Sequence, residues 1–136
     1  PCGFNIIKEQ NQISIATDIG HITENIMNNL KNSSFILLES NYDPEILKFS
    51  KYPFHLKSRI AGLYGHLSNQ TAGKTISVLM KKNLKEVMLG HLSKENNFPE
   101  LAYQTVAEEL MNSNNDINTI RLSVANRNSP TKLINL

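Results

Sequence analysis

Two short β-favouring runs open the chain. Residues 4–8 carry Phe4, Ile6 and Ile7, and residues 12–17 hold Ile13-Ser-Ile-Ala, which alternates as a half-buried strand does. Only Glu9, Gln10 and Asn11 separate the runs, so the spacing predicts a hairpin. Past Asp18-Ile-Gly-His21, Thr23 is placed to cap a helix running through Lys31. Ile22, Ile26, Met27 and Leu30 share one face of it, and Asn and Lys residues take the other.

Phe35-Ile-Leu-Leu is a continuous apolar run bounded by Ser33-Ser34 and Glu39-Ser-Asn, the pattern of a strand covered on both faces. Val87-Met-Leu-Gly, followed by His91, repeats it, and Ile120-Arg-Leu-Ser-Val is a further strand candidate. Between them, the pattern predicts helices over residues 70–82, capped by Ser68 or Asn69, and over residues 99–111. Pro99 stands in the first turn of the second, where its missing N–H costs nothing. Residues 41–65 form a long connection containing Pro44 and Pro53, with short helical stretches at Pro44–Phe49 and Phe54–Ile60, and this length makes it a candidate functional loop. The Asn-rich patches at Asn28-Asn29, Asn96-Asn97 and residues 112–118 read as exposed turns, and the chain has no internal repeat.

The resulting order, β-β-α-β-α-β-α-β, argues for an α/β layered architecture whose ligands gather at strand ends. Asp18, Glu39, His66 and His91 all occupy such places. With 136 residues, 40% of them hydrophobic and 19% charged, the chain reads as one globular domain, 1–136. Because no run reaches the roughly 18 apolar residues of a membrane span and the start has no signal-peptide pattern, the expectation is a cytoplasmic protein without a membrane partner. Cys2 is the one cysteine, which excludes an internal disulfide and a zinc site built on several thiolates; any metal must use His and carboxylates. A net charge of +2 is too small to announce nucleic-acid binding by itself.

Asp18, directly after a strand, can bridge two cations through its two oxygens, although an Asp in that place is also a common turn residue. His91 leaves the end of a buried strand where a ligand would point, or where a structural histidine would sit. If Glu39 and His66 meet in space, the carboxylate can fix one imidazole nitrogen and leave the other to donate a proton. Lys48, Lys51, Lys57 and Arg59 are interleaved with Phe49, Tyr52, Phe54 and Tyr64. Such a mixture suits phosphates and bases, and equally a solvated loop held by aromatic anchors. His21 and His55 are reserve candidates only.

Taken in order, four segments resemble the YycJ/WalJ-type proteins, metallo-β-lactamase-fold exonuclease-like hydrolases related to ribonuclease Z. They are Thr17-Asp-Ile-Gly, Phe35-Ile-Leu-Leu-Glu-Ser-Asn-Tyr-Asp43, residues 52–69 from Tyr52-Pro-Phe-His to Gly65-His-Leu-Ser-Asn69, and Gly90-His-Leu-Ser-Lys-Glu-Asn-Asn97. The resemblance implies an αββα sandwich, of which this chain is a truncated C-terminal portion. It also implies a binuclear centre of zinc or manganese in which Asp18 bridges the ions and His91 completes one coordination sphere. Glu39 and His66 match the pair that assists proton transfer to the leaving oxygen, and Lys57, Arg59, Ser68 and Asn69 are the substrate-binding candidates. The implied substrate is DNA or RNA.

The family's His-x-His-x-Asp-His cluster is absent, and Pro1-Cys-Gly-Phe resembles the segment following its third metal-binding His. The expectation is a fragment that holds metal weakly and is inactive alone, with apolar surface that a homodimer or swapped dimer would cover. The alternatives are a noncatalytic nucleic-acid-binding or assembly module, and a hydrolase of small phosphodiesters or esters.

Overall fold

The computed structural model describes residues 3–80 and 84–136. The hairpin forms where the spacing places it, from β1 (Gly3–Lys8) and β2 (Asn11–Ala16), with Phe4 opposite Ile15 and Ile6 opposite Ile13. Helix α1 (Glu24–Leu30) follows, capped by Thr23, whose hydroxyl accepts from the Ile26 amide. Next come β3 (Phe35–Glu39), α2 (Pro44–Phe49), α3 (Phe54–Ile60) and α4 (Asn69–Leu79), the last capped by Ser68. β4 (Glu86–Gly90), α5 (Pro99–Asn112), a 3-10 turn (Ile117–Thr119) and β5 (Arg121–Val124) complete the order. The part of α4 expected to continue to Lys82 falls on residues outside the described ones, as do Pro1 and Cys2.

The five strands form one sheet in sequence order, with β1 antiparallel to β2 and β2 to β5 mutually parallel. Each crossover steps the same way across the sheet, and right-handed crossovers then place their helices on one face. The core lies there. Ile36, Leu38, Val87 and Leu89 point from the sheet into Leu30 of α1, Ala72 and Ile76 of α4, and Ala102, Val106 and Leu110 of α5. Each large side chain fully buried there contributes about 1.5–3 kcal/mol.

The opposite face has no helical layer among the described residues, and it is apolar from β1 to β4 at Phe4, Ile6, Ile13, Ile15, Phe35, Leu37 and Met88, with the Glu86–Arg121 ion pair at its β4–β5 end. Strand β2 shows this most clearly, because its helix-facing residues are Gln12, Ser14 and Ala16, whereas Ile13 and Ile15 point to the open side and are half-buried. The alternation is the one expected, but the polar and small residues are the buried set. Ser14 and Gln12 are satisfied under α1 by hydrogen bonds to Ser33, Asn5 and the Asn29 carbonyl. Phe4 and Ile6 extend the open apolar row onto β1, where they are 63% and 58% exposed. No helix among the described residues is long and apolar enough to cross a membrane.

An uncovered apolar row of this kind draws copies together. The 136-residue chain should therefore self-associate in sedimentation velocity at micromolar concentration, and the double variant Phe4→Ser, Ile6→Ser should shift it towards monomer without unfolding it; a clean monomer for the unsubstituted chain contradicts this.

Candidate metal centre

Parallel pairing puts the carboxyl ends of β2, β3, β4 and β5 along one edge of the sheet, the place where α/β folds collect ligands. Asp18 lies two residues beyond β2, Glu39 is the last residue of β3, and His91 immediately follows β4. His66 arrives from the turn between α3 and α4. That turn is stitched to the segment after β3, where the Asn41 amide donates to the Leu67 carbonyl at 2.9 Å and the Asn69 amide to the Tyr42 carbonyl at 3.0 Å. Four residues from four separate segments thus offer ligand atoms within 4.8 Å of one another.

Glu39 organises the cluster. Its side chain is fully buried, and its Oε1 accepts from Nδ1 of His66 at 2.6 Å and from Nδ1 of His91 at 2.7 Å. Its Oε2 accepts from the amides of Ile19 at 2.9 Å and Leu67 at 3.4 Å. With both oxygens so engaged, Glu39 acts as an orienter of imidazoles, and the protons it draws to Nδ1 leave Nε2 of each neutral ring as the free lone pair. The sequence suggested one histidine partner for Glu39; the fold supplies two. The imidazole centroids lie 5.3 Å apart, and Asp18 Oδ1 is 3.8 Å from His91 Nε2. That gap is too long for a hydrogen bond and matches two ligand atoms sharing one ion at about 2.0–2.2 Å each. Imidazole nitrogens beside an exposed carboxylate are a donor set that could hold a metal ion.

The backbone is shaped for this. Asp18 and His91 both have left-handed conformations, φ 56° and 55°, which Asp and His tolerate better than most side chains and which cluster at functional sites. The left-handed turn at His91 is held by Asn41, whose Nδ2 donates to the His91 carbonyl at 2.6 Å. Gly20 lets the Asp18 turn meet the His66 turn, since a Cβ there would sit 2.2 Å from the Leu63 carbonyl oxygen, and Gly65 lets the His66 turn close on the end of α3, where a Cβ would sit 2.1 Å from the Ile60 carbonyl oxygen. His21 Nδ1 donates to the Leu63 carbonyl at 2.9 Å, so it braces the same contact from outside.

Beneath the site lies a buried amide network. Ser40 Oγ donates to Asn69 Oδ1 at 2.6 Å, and Asn97 Nδ2 donates to the Ser40 carbonyl and to Asn69 Oδ1 at 2.9 and 2.8 Å. Asn96 and Asn97 are therefore not an exposed turn; both are buried, and the Asn96 carbonyl accepts from the Asp43 amide. Asn69, expected at the substrate surface, is fully buried with its amide engaged in this network, so its side chain faces the interior. Ser68 is likewise buried, with its hydroxyl on the Thr71 amide as the cap of α4. Of the other two substrate-binding candidates, Arg59 is exposed on α3, and Lys57 Nζ donates to the Lys48 carbonyl at 2.6 Å. Around them Phe49, Phe54 and Tyr64 are 77%, 84% and 91% exposed, so these aromatic side chains do not serve as packing anchors. Ser40, Asn41 and Asn97 were not singled out from sequence, although Ser40 and Asn41 directly follow Glu39.

A mixed α/β chain with a carboxylate–imidazole cluster on the carboxyl edge of its parallel strands has the makings of a metal-binding protein. No protein-family model matches it. The exodeoxyribonuclease WalJ from two strains of Streptococcus pneumoniae is 34% identical over 110 residues, covering 81% of this chain and 41% of the relative. The exodeoxyribonuclease YycJ of Bacillus anthracis is 29% identical over 110 residues, covering 81% of this chain and 42% of the relative. By sequence the chain is similar to the WalJ/YycJ-type proteins over these 110 residues, and it spans about two fifths of the length of these curated relatives.

Two measurements address the geometry. Gly20→Ala forces Cβ against backbone and should destabilise the fold by about 1–3 kcal/mol in urea unfolding, whereas His21→Ala, removing an exposed contact, should stay within about 0.5 kcal/mol. Burial first, and then the charge of Glu39, raise the Tyr42 phenol above its usual 10.0. Tyr42 should therefore ionise above 10.0 in an ultraviolet titration, and Glu39→Gln should bring it part of the way back towards 10.0. Because the folded state holds this proton more tightly, its stabilising effect is complete below pH 10.0 and is lost as pH rises through the folded value.

Proposed function

We propose that this chain carries one half of a metal-dependent nuclease site in a protein of metallo-β-lactamase fold, and that the bond cleaved is a phosphodiester of DNA. The observation that carries the reading is the double hold of Glu39 on Nδ1 of His66 and of His91, which leaves Nε2 of each ring outside those bonds, with Asp18 Oδ1 3.8 Å from Nε2 of His91. The open apolar side of the sheet supports the architecture, since Ile13 and Ile15 point to where a second sheet of a sandwich would pack. The names of the relatives supply the substrate class.

Asp18 and His91 would hold metal in this reading. Divalent ions, when bound, supply charge neutralisation at the phosphate and activation of water. The chain's own contribution is positional and protonic. Glu39 fixes both rings by Nδ1, Asn41 holds the turn at His91, and His66, once its ring takes up a second proton at Nε2, would pass that proton to the leaving oxygen. The exposed Phe49, Phe54 and Tyr64, set among Lys48, Lys51 and Arg59, offer stacking and phosphate contacts beside the His66 turn. With only Asp18 and His91 as direct ligands, this chain alone binds metal weakly and turns over slowly or not at all. A noncatalytic DNA-binding module is the second reading, favoured by that same exposed aromatic and basic surface.

The test compares the whole protein with the 136-residue chain on labelled single- and double-stranded DNA and RNA, with manganese or zinc and with chelator. Hydrolysis of DNA by the whole protein should vanish with chelator and with Asp18→Ala, and fall roughly 10–100-fold with Glu39→Gln through misoriented imidazoles. Activity of the short chain without metal overturns the proposal, and steep salt-dependent binding with no metal-dependent cleavage in either protein moves the assignment to the binding module.

A further inference from the structure

The carboxyl edge of the sheet has a fourth strand end that the metal centre does not use. β2 delivers Asp18, β3 delivers Glu39 and β4 delivers His91; β5 delivers Asn126 and Arg127, joined to the same edge by the Ala125 amide on the Leu89 carbonyl at 2.8 Å. Arg127 then reaches back across the edge, and its Nη2 donates to the Leu92 carbonyl at 2.6 Å. Its guanidinium is therefore fixed to the residue next to His91.

We propose that Arg127 is a phosphate-binding residue of this site. A guanidinium has five donors in a rigid fork, and the Leu92 carbonyl takes one of them. Among the described residues no carboxylate lies within ion-pair distance of it, and the residue is exposed. Between Arg127 and His91 opens a cavity of about 690 Å³, also bordered by Lys94, Phe98 and Asn128, with Glu100 as the one acidic group on its wall. The volume admits a nucleotide unit, and the cavity has a charged fork and a lysine on a wall shared with His91. Arg127 binds a phosphate oxygen of the substrate strand, either the phosphate next to the one cleaved or a terminal phosphate, and so sets how far the strand advances past His91. This assignment rests on the nuclease reading above and extends it to a residue that the metal chemistry does not require.

Arg127→Ala, Arg127→Gln and Arg127→Lys in the whole protein test it, with fluorescence anisotropy on duplexes ending in 5′-phosphate or 5′-hydroxyl, across a salt series in chelator. The alanine and glutamine variants should bind roughly tenfold more weakly, and the slope of log affinity against log salt should lessen by about 0.9, the value for one phosphate contact. The lysine variant should keep the slope and lose part of the affinity. A loss confined to 5′-phosphate ends identifies a terminal phosphate, and an equal loss at both ends identifies an internal one. An unchanged slope and affinity in the alanine and glutamine variants overturns the assignment, as does the same loss in all three variants, which marks a structural tie to Leu92. Hydrolysis by the unsubstituted protein is measured alongside. If it is present while the variants bind normally, Arg127 alone is misassigned; if it is absent, the proposal falls with the reading on which it rests.

Discussion

A single buried carboxylate governs this site. Glu39 gives one oxygen to two imidazoles and the other to two backbone amides, so four segments of chain meet at one side chain. Burying a charged carboxylate without partners is costly, and hydrogen bonds to the charged form offset that cost. The four donors that satisfy Glu39 are also the groups whose positions it sets: the Ile19 amide beside Asp18, the Leu67 amide beside His66, and both rings. Satisfying the charge and assembling the site are one event.

Much of the fold is dictated by local pattern. The hairpin, the Thr23 and Ser68 caps, the short helices α2 and α3, and the strands ending at Glu39 and before His91 are all set by residues within a few positions of one another. The site residues were legible as strand-end polar groups because the sheet sends its carboxyl ends to one edge. Their connections were not legible, because a hydrogen bond between Glu39 and His91 spans 52 residues and leaves no local trace. The same holds for Asn69 and Asn97. An Asn pair reads as a turn in isolation, and only the closing of β3, α4 and the β4 loop around it makes it a core contact.

The inverted alternation of β2 carries a different lesson. Period two tells that a strand has two unlike faces, but it does not tell which face meets the helices. Here Ser14 faces inward because Ser33 and Asn5 supply its partners, and the isoleucines face outward. The binary pattern of this strand therefore matches two-sided cover, with a polar layer on the helical side and an apolar one on the other.

Strand β1 owes its alignment to that polar layer. It has apolar residues on both faces, Phe4 and Ile6 on one and Ile7 on the other, so sliding it by one residue would exchange similar surfaces and burial could not choose between the two alignments. Asn5 makes the choice, through its Oδ1 on Ser14 and its Nδ2 on the Asn29 carbonyl. The pairing of the outermost strand is thus decided by a few directional bonds inside the chain, and its fidelity does not depend on whatever comes to lie over the open side.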